Sequence, residues 1–207
     1  MGAKERRARE KADMRDAILQ AAAKIIVEEG YEKLSMRKIA GAIDYTPTTI
    51  YLYYEDKAQI VGDIAKDVYR KIARNTQKVM RENEGAPTSK LLELGFKEFV
   101  YTITGNAEMG KAVMRSGTSA IFGPDENLDV PEEPGVEVLR KLLLKGQQES
   151  ELRKLDDNMS WMLVTALIGF SLNAIENQLH LSANWHALVH TYAEMLVNGL
   201  LQKGAAQ

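Results

Sequence analysis

Residues 35–54 read SMRKIAGAIDYTPTTIYLYY, and their punctuation predicts two short helices joined by a tight turn. Ser35 is suited to cap the first, which runs to about Ala42. Thr46 is suited to cap the second, with Pro47 at its first helical position, where a missing N–H costs nothing. Two such helices about four residues apart suggest a helix-turn-helix. In that arrangement Ile39 and Ile43 face inward, Ala40 is the small contact residue, and Tyr45 packs the turn. Ile50 and Tyr53 or Tyr54 anchor the second helix. Pro47, Thr48, Thr49 and Tyr51 are then left near its outward N-terminal end. Small hydroxyl side chains there let a helix enter a major groove about 12 Å wide and present methyls and hydroxyls to base edges. Taken alone, the same residues also suit an ordinary helical hairpin whose threonines serve only as caps.

Outward from this stretch the pattern stays helical, and no segment alternates with period two for long enough to suggest a sheet. Upstream, Ile18, Ala21, Ala22, Ile25 and Ile26 recur at three- and four-residue spacing, and Gly30 ends that helix with Tyr31 as an apolar cover. Downstream, Asp56 and Gln59 resemble a capping box that starts a long helix to about Glu82. Gly85-Ala86-Pro87-Thr88 breaks the chain before a helix from about Thr88 to Ile103, and Gly105-Asn106 restarts another. Residues 117–135 read as a solvated loop, followed by helices over about 135–149, 157–180 and 184–202. The fold class expected is all-α, with a domain boundary near Asp56.

The 207 residues include no cysteine, so a disulfide framework, a thiolate nucleophile and a zinc–thiolate site are excluded. No glycine-rich phosphate loop or helical metalloprotease motif is present, and the chain is not expected to be an enzyme. Residues 1–17 are mostly charged without an apolar core, so no secretory signal is expected and a cytoplasmic location is. Charge is unevenly spread: the first 15 residues hold Lys4, Arg6, Arg7, Arg9, Lys11 and Arg15 against three acidic groups. This basic arm suits phosphate contact and plain solvation equally. From Asn158 onward only Glu176, Glu194 and Lys203 are charged. The uncharged run from Asn158 to Ile175 is short for a membrane span and carries polar residues, so it is expected to be a helix buried in protein on most of its circumference.

Several elements together carry a family likeness. Ile18-Leu19-Gln20-Ala21-Ala22, Gly30-Tyr31, Ser35-Met36-Arg37-Lys38-Ile39-Ala40, Thr48-Thr49-Ile50-Tyr51-Leu52-Tyr53-Tyr54 and Lys57 resemble the DNA-binding region of the TetR family of transcriptional regulators, over roughly residues 11–62. Asp44 departs from the glycine usual in the turn, but aspartate tolerates a left-handed backbone. The resemblance implies a helix-turn-helix domain over residues 1–56 and an effector-binding and dimerisation domain over 57–207. It implies DNA-binding roles for Ser35, Arg37, Thr46, Pro47, Thr48, Thr49, Tyr51, Tyr53 and Lys57. Lys57 also stands in the first turn of a helix, which favours an anion. The inward-facing alternative keeps Tyr53 less secure.

The resemblance further implies a homodimer on a palindromic DNA operator, a small organic effector, no cofactor and no membrane partner. Release of a repressor by an apolar or amphipathic effector is the leading function; a carrier or enzyme on an all-helical scaffold without DNA binding is the competing class. Tyr69, Phe96, Phe99, Met109, Val113, Met114, Phe122, Trp161, Met162 and Thr165 are candidate effector contacts, each also suited to plain core. Two adjacent charge-poor helices call for burial by another chain. Ala166, Gly169, Phe170, Asn173, Ala174 and Asn177, with Tyr192, Met195, Leu196 and Gly199, are candidate interface residues. His186, His190 and Glu194 recur at four-residue spacing as metal ligands would, but polar contacts in the helical bundle suit them better, and no metal site is assigned.

Overall fold

The computed structural model describes residues 2–115 and 135–202, and among them nine α-helices and no strand beyond an isolated bridge. Local chemistry sets the helix boundaries. The first helix, α1 (Ala3–Glu29), stops at Gly30, whose φ of 85° and ψ of 159° suit glycine alone. A short 3₁₀ turn, Tyr31–Lys33, follows. Ser35 caps α2 (Met36–Ala42), its Oγ accepting the Lys38 N–H at 3.2 Å. Asp44 makes the turn with a φ of 58°, the left-handed backbone its short polar side chain tolerates. Thr46 caps α3 (Pro47–Tyr51), its Oγ1 accepting the Thr49 N–H at 3.3 Å. Before α4 (Lys57–Glu82), Asp56 Oδ1 accepts the Gln59 N–H and Gln59 Oε1 accepts the Glu55 N–H, each at 2.9 Å. This is the expected reciprocal cap with its return arm displaced by one residue.

The chain forms two compact units, divided inside α4 between Asp67 and Val68. Among the described residues the first unit holds residues 2–67 and 108–115, and the second holds residues 68–107 and 135–202. In the first, Ile18, Ala22 and Ile26 of α1 meet Ile39 and Ala40 of α2, Ile50 of α3, and Ile60 and Val61 of α4 in one buried cluster. From α6 (Ala107–Arg115), Ala112 joins that cluster and Met109 packs against it. Each large aliphatic side chain removed from water here contributes about 1.5–3 kcal/mol before entropy is counted. Tyr54, 1% exposed, anchors the segment that follows α3, while Tyr53 is only partly buried.

Tyr45 does not pack the turn as expected. It is 49% exposed, because the turn is already closed by its backbone N–H donating to Ala40 O at 2.9 Å.

In the second unit α5 (Thr88–Thr104) is central, packed by α7 (Gly135–Gln148), α8 (Met159–Glu176) and α9 (Trp185–Asn198). Its Leu91, Leu92, Phe96, Phe99, Val100 and Ile103 are accordingly buried. Gly146 allows the tightest approach: a Cβ there would lie 2.6 Å from Leu152 Cδ1 and 2.8 Å from Thr88 Cγ2. The last two helices are shorter than their sequence pattern. α8 ends at Glu176 because Gln178 turns left-handed, with φ 56°, into a 3₁₀ turn at Leu179–Leu181. α9 ends at Asn198 because the following backbone pairs elsewhere. The Arg153 N–H donates to Leu200 O at 2.9 Å, and the Gln202 N–H to Glu151 O at 3.0 Å. α8 is also less enclosed than expected, with 39% of it buried in this chain. The loop expected over residues 117–135 lies outside the described residues, except for its last residue, which begins α7.

A carboxylate from the turn after α7 completes the start of α5. Pro87 offers no side-chain cap, and Glu151 instead accepts the Thr88 and Ser89 N–H groups, each at 2.9 Å. Burial alone would raise the Glu151 pKa, but the two backbone donors hold it below the usual carboxylate value. The resulting stability is complete above the unfolded pKa of about 4.3 and is lost as pH falls through the lower folded value. An amide accepts from one of these donors and turns its own N–H₂ against the other. Glu151→Gln should therefore lower unfolding free energy by about 1–2 kcal/mol at neutral pH, measured by urea denaturation. The difference from wild type should shrink as pH falls through the lowered folded value, where wild type itself loses the charge.

Candidate nucleic-acid interface

The outward face of α3 is set by what its inward face must do. Ile50 is buried in the core of the first unit, and Tyr54 closes the segment behind it. The Tyr54 hydroxyl donates to Asp63 Oδ2 at 3.2 Å, and Arg15 donates to the same oxygen at 3.1 Å. The Arg15 guanidinium also lies 4.6 Å from the Tyr54 ring centroid. Burial, with the Asp63 carboxylate beside it, pushes the Tyr54 phenol up to about 12, so it stays a neutral donor. With those two positions fixed inside, Thr46, Pro47, Thr48 and Tyr51 are exposed and Thr49 is half-buried. The Thr46 and Thr49 hydroxyls are 3.0 Å apart, so the capping pair engages each other as well as the backbone. Thr48 and Tyr51, the latter 56% exposed, offer the freest hydroxyls.

Cationic groups flank this face. Arg37 on α2 is exposed and makes no ion pair with a described residue. Lys57 begins α4, and its Nζ lies 4.5 Å from the centroid of the Tyr31 ring. Such a contact is worth about 0.5–1 kcal/mol at an exposed site and limits where the ammonium can swing. Ser35 is exposed with its oxygen committed to the α2 cap, and Tyr53 is half-buried against the core. Lys38, beside Arg37, is instead paired with Glu29.

Three positions absent from the sequence-derived set join this surface. Leu52 is 75% exposed just after α3, and Tyr45 is exposed just before it. The signal for Leu52 was available: once Ile50 and Tyr54 face inward, a residue between them on a single turn has no core to reach. Tyr31 acts through Lys57, a contact that no spacing rule reveals, since the two lie far apart in sequence.

The helix-turn-helix geometry has a direct counterpart among known families. Residues 18–64 match the family described as bacterial regulatory proteins, tetR family. Residues 18–64 are thus a TetR-type DNA-binding region. Solved structures share its fold over nearly its whole length. RolR in complex with its ligand resorcinol superposes with a TM-score of 0.72 at 14% identity, covering 93% of this chain and 90% of that one. The fatty acid degradation regulator FadR from Bacillus halodurans gives 0.63 at 20% identity, covering 90% and 95%. FadR from Thermus thermophilus, a TetR-family repressor in complex with lauroyl-CoA, gives 0.67 at 14% identity, covering 93% and 98%. No curated protein sequence matches the chain.

The sequence-derived effector candidates fall in both units. Met109 packs against the core of the first unit, and Val113, assigned to the same unit, is wholly buried. Phe96 and Phe99 are core residues of α5, and Tyr69 is half-buried, its phenol pushed up by burial. Trp161, Met162 and Thr165 are instead exposed on α8. Phe122 and the side chain of Met114 lie outside the described residues. The His186, His190 and Glu194 series does not converge on one point. His186 Nδ1 meets the Tyr101 hydroxyl at 3.0 Å, while His190 lies between Glu93 at 3.3 Å and Glu194 at 3.4 Å. Both histidines thus make polar contacts to α5 of their own chain.

Two substitutions test the surface. Tyr51→Phe should weaken binding to specific DNA by about 1–3 kcal/mol, the worth of a good base contact, with no change in thermal melting. Lys57→Ala should make log affinity less steep in log salt by about 0.9 for each protomer bound, the effect of one lost phosphate contact. Fluorescence anisotropy over a salt series checks both; unchanged affinity and slope would remove α3 and Lys57 from the interface.

Proposed function

We propose that this chain is a homodimeric cytoplasmic repressor that binds a palindromic operator and is released by an apolar or amphipathic organic effector. The observation that carries the reading is the rigidly backed, hydroxyl-bearing face of α3, with Arg37 and Lys57 beside it. Recognition helices of two protomers would read half-sites about 34 Å apart or an equivalent longer spacing. The effector class draws on the solved relatives of this fold, which hold an aromatic diol in RolR and an acyl-CoA in FadR. In this chain Tyr69, Phe96 and Phe99 supply aromatic surface in the second unit. Asn75, Glu98 and Thr102 supply a hydrogen-bonded polar set nearby in sequence, with Asn75 donating to Glu98 at 2.8 Å. An effector releases DNA only if it binds the two conformers unequally; equal affinity shifts nothing. A mobility shift with DNA flanking its own gene, repeated with a series of aromatic and acyl ligands, tests the reading. Failure of the protein to bind any duplex would overturn it.

The dimer part of the proposal rests on what α8 and α9 leave uncovered. Phe170 stacks on Tyr192 with centroids 3.9 Å apart and on Trp185 at 5.9 Å, and the Tyr192 hydroxyl donates to Ala166 O at 2.7 Å. Ala174 is wholly buried in its own chain. These contacts hold the helix pair together, with Ala166, Phe170 and Tyr192 half-buried in the single chain. Met162, Thr165, Gly169, Asn173 and Asn177 on and after α8, with Leu188, Met195 and Gly199 on and after α9, remain exposed and uncharged; Leu196 is half-buried. Trp161 and Thr165 belong to this face in the proposal and not to an effector site. An uncharged surface of this width calls for a second copy.

Sedimentation at micromolar concentration should give a mass near twice 23.1 kDa. Met195, 58% exposed in the single chain, can carry a charge there without disturbing its fold. Met195→Glu should dissociate the dimer, since an unpaired carboxylate buried at the interface costs several kcal/mol. Operator affinity should then fall, because each half-site loses its tethered neighbour. A dimer that tolerates this charge would place the interface elsewhere.

A further inference from the structure

α1 is longer than its domain requires. Residues 4–13 are exposed on every side, so about three turns of helix precede Met14, the first residue to touch the core. The seam that α1 buries runs through Met14, Ile18, Ala21, Ala22 and Ile25 at three- and four-residue spacing. Continued toward the N-terminus, the same seam passes through Lys11, Arg7 and Lys4. At 100° per residue these three cations fall within an arc of about 60°. Glu5, Glu10, Asp13 and Asp16 all lie outside that arc.

Charge pairing follows this division in part, since Arg9, off the seam, also makes no ion pair with a described residue. Arg6, off the seam, pairs with Glu10 at 3.6 Å, and Glu5 accepts the Gly2 N–H at 2.8 Å. Lys4, Arg7 and Lys11 make no hydrogen bond or ion pair with any described residue. Such a cluster is unfavourable in isolation, because like charges three and four residues apart repel and cations oppose the dipole at a helix N-terminus. A polyanion removes both penalties.

We propose that the N-terminal extension of α1 is a second DNA-binding element, with Lys4, Arg7 and Lys11 laid as a stripe along duplex phosphates. The proposal rests on the DNA-binding reading above and adds to it a contact surface outside the helix-turn-helix. Lys4 to Lys11 rises about 10.5 Å, enough to face about three phosphates of one strand at 3.4 Å each along the duplex axis. The contact is to backbone and carries no base preference, so it strengthens binding to operator and to other duplex DNA alike. Helix formation over these turns is marginal without tertiary support, and neutralisation by phosphate stabilises it.

Two double variants of equal charge separate a stripe from diffuse attraction. Arg7→Gln with Lys11→Gln removes two cations of the seam; Arg6→Gln with Arg9→Gln removes two from the other faces. Both leave the core of α1 untouched, and circular dichroism melting should match wild type. Binding to a mixed-sequence duplex of about 40 base pairs is followed by anisotropy between about 50 and 200 mM salt. The seam variant should flatten the log–log salt slope by about 1.8 for each protomer bound, and the other by less than about 0.5. Equal changes in the two variants, or no change in either, would overturn the stripe while wild-type binding leaves the DNA-binding reading standing. Absence of salt-dependent binding by wild type would instead overturn that reading, and the stripe with it.

Discussion

One oxygen of Asp63 accepts from both the Tyr54 hydroxyl and the Arg15 guanidinium, and the outward face of α3 depends on that junction. Tyr54 ends the recognition segment, Arg15 belongs to α1, and Asp63 belongs to α4. Three elements are thus registered through a single partly buried carboxylate, which Lys66 also approaches at 3.5 Å. Charge-assisted hydrogen bonds of this kind fix direction as well as distance, which apolar packing alone does not. Ile50 supplies the burial that keeps α3 docked, and the Asp63 junction sets which way its outer side chains point. The hydroxyls of Thr48 and Tyr51 reach solvent as a consequence of these inward commitments.

The second unit solves a different problem, that of surrounding α5. A helix with buried residues on most of its circumference needs neighbours on several sides, and α7, α8 and α9 provide them. Close approach is possible where side chains are absent, at Gly146 against Leu152 and Thr88, and at Gly95, whose Cβ would stand 3.3 Å from Thr76. Polar groups at the ends of this packing are matched locally. Glu151 closes the start of α5, and Thr104 donates to Val100 O at 2.8 Å near its end. α8 and α9 cover α5 with one face and keep a second face that is uncharged and exposed. The scarcity of charge after Asn158 therefore reflects two surfaces, one buried within the chain and one facing outward.

Electrostatics divides the first unit in a similar way. Some exposed charges on α1 and α2 sit beside an opposite partner, as Lys38 does with Glu29, Lys24 with Glu28 and Arg6 with Glu10. Such exposed pairs contribute little stability, roughly 0–1 kcal/mol, and mainly neutralise the surface. Arg37, Lys4, Arg7, Arg9 and Lys11, by contrast, make no ion pair with a described residue. Lys57 differs again, since an aromatic ring holds it and leaves its charge uncompensated.

The sequence by itself determined the helical elements and the boundaries around α2, α3 and the start of α4. Ser35, Thr46 and Asp56 cap through short-range hydrogen bonds, Gly30 and Asp44 meet backbone demands that few residues satisfy, and apolar spacing identifies the buried seam of α1. These are interactions among residues a few positions apart, so a linear pattern contains them. Tertiary structure decided which of Tyr53 and Tyr54 turned inward, because that choice depends on Asp63 and Arg15. It exposed Tyr45, since a backbone hydrogen bond had already closed the turn. It buried Phe96, Phe99 and Val113 and left Trp161 and Met162 on an open face; hydrophobic character alone does not say which residues the chain itself covers. It also ended α8 and α9 early, where Gln178 turned left-handed and residues 200–202 found backbone partners at 151–153. Those partners lie about fifty positions away, and only the packing of α7 and α9 around α5 brings them together.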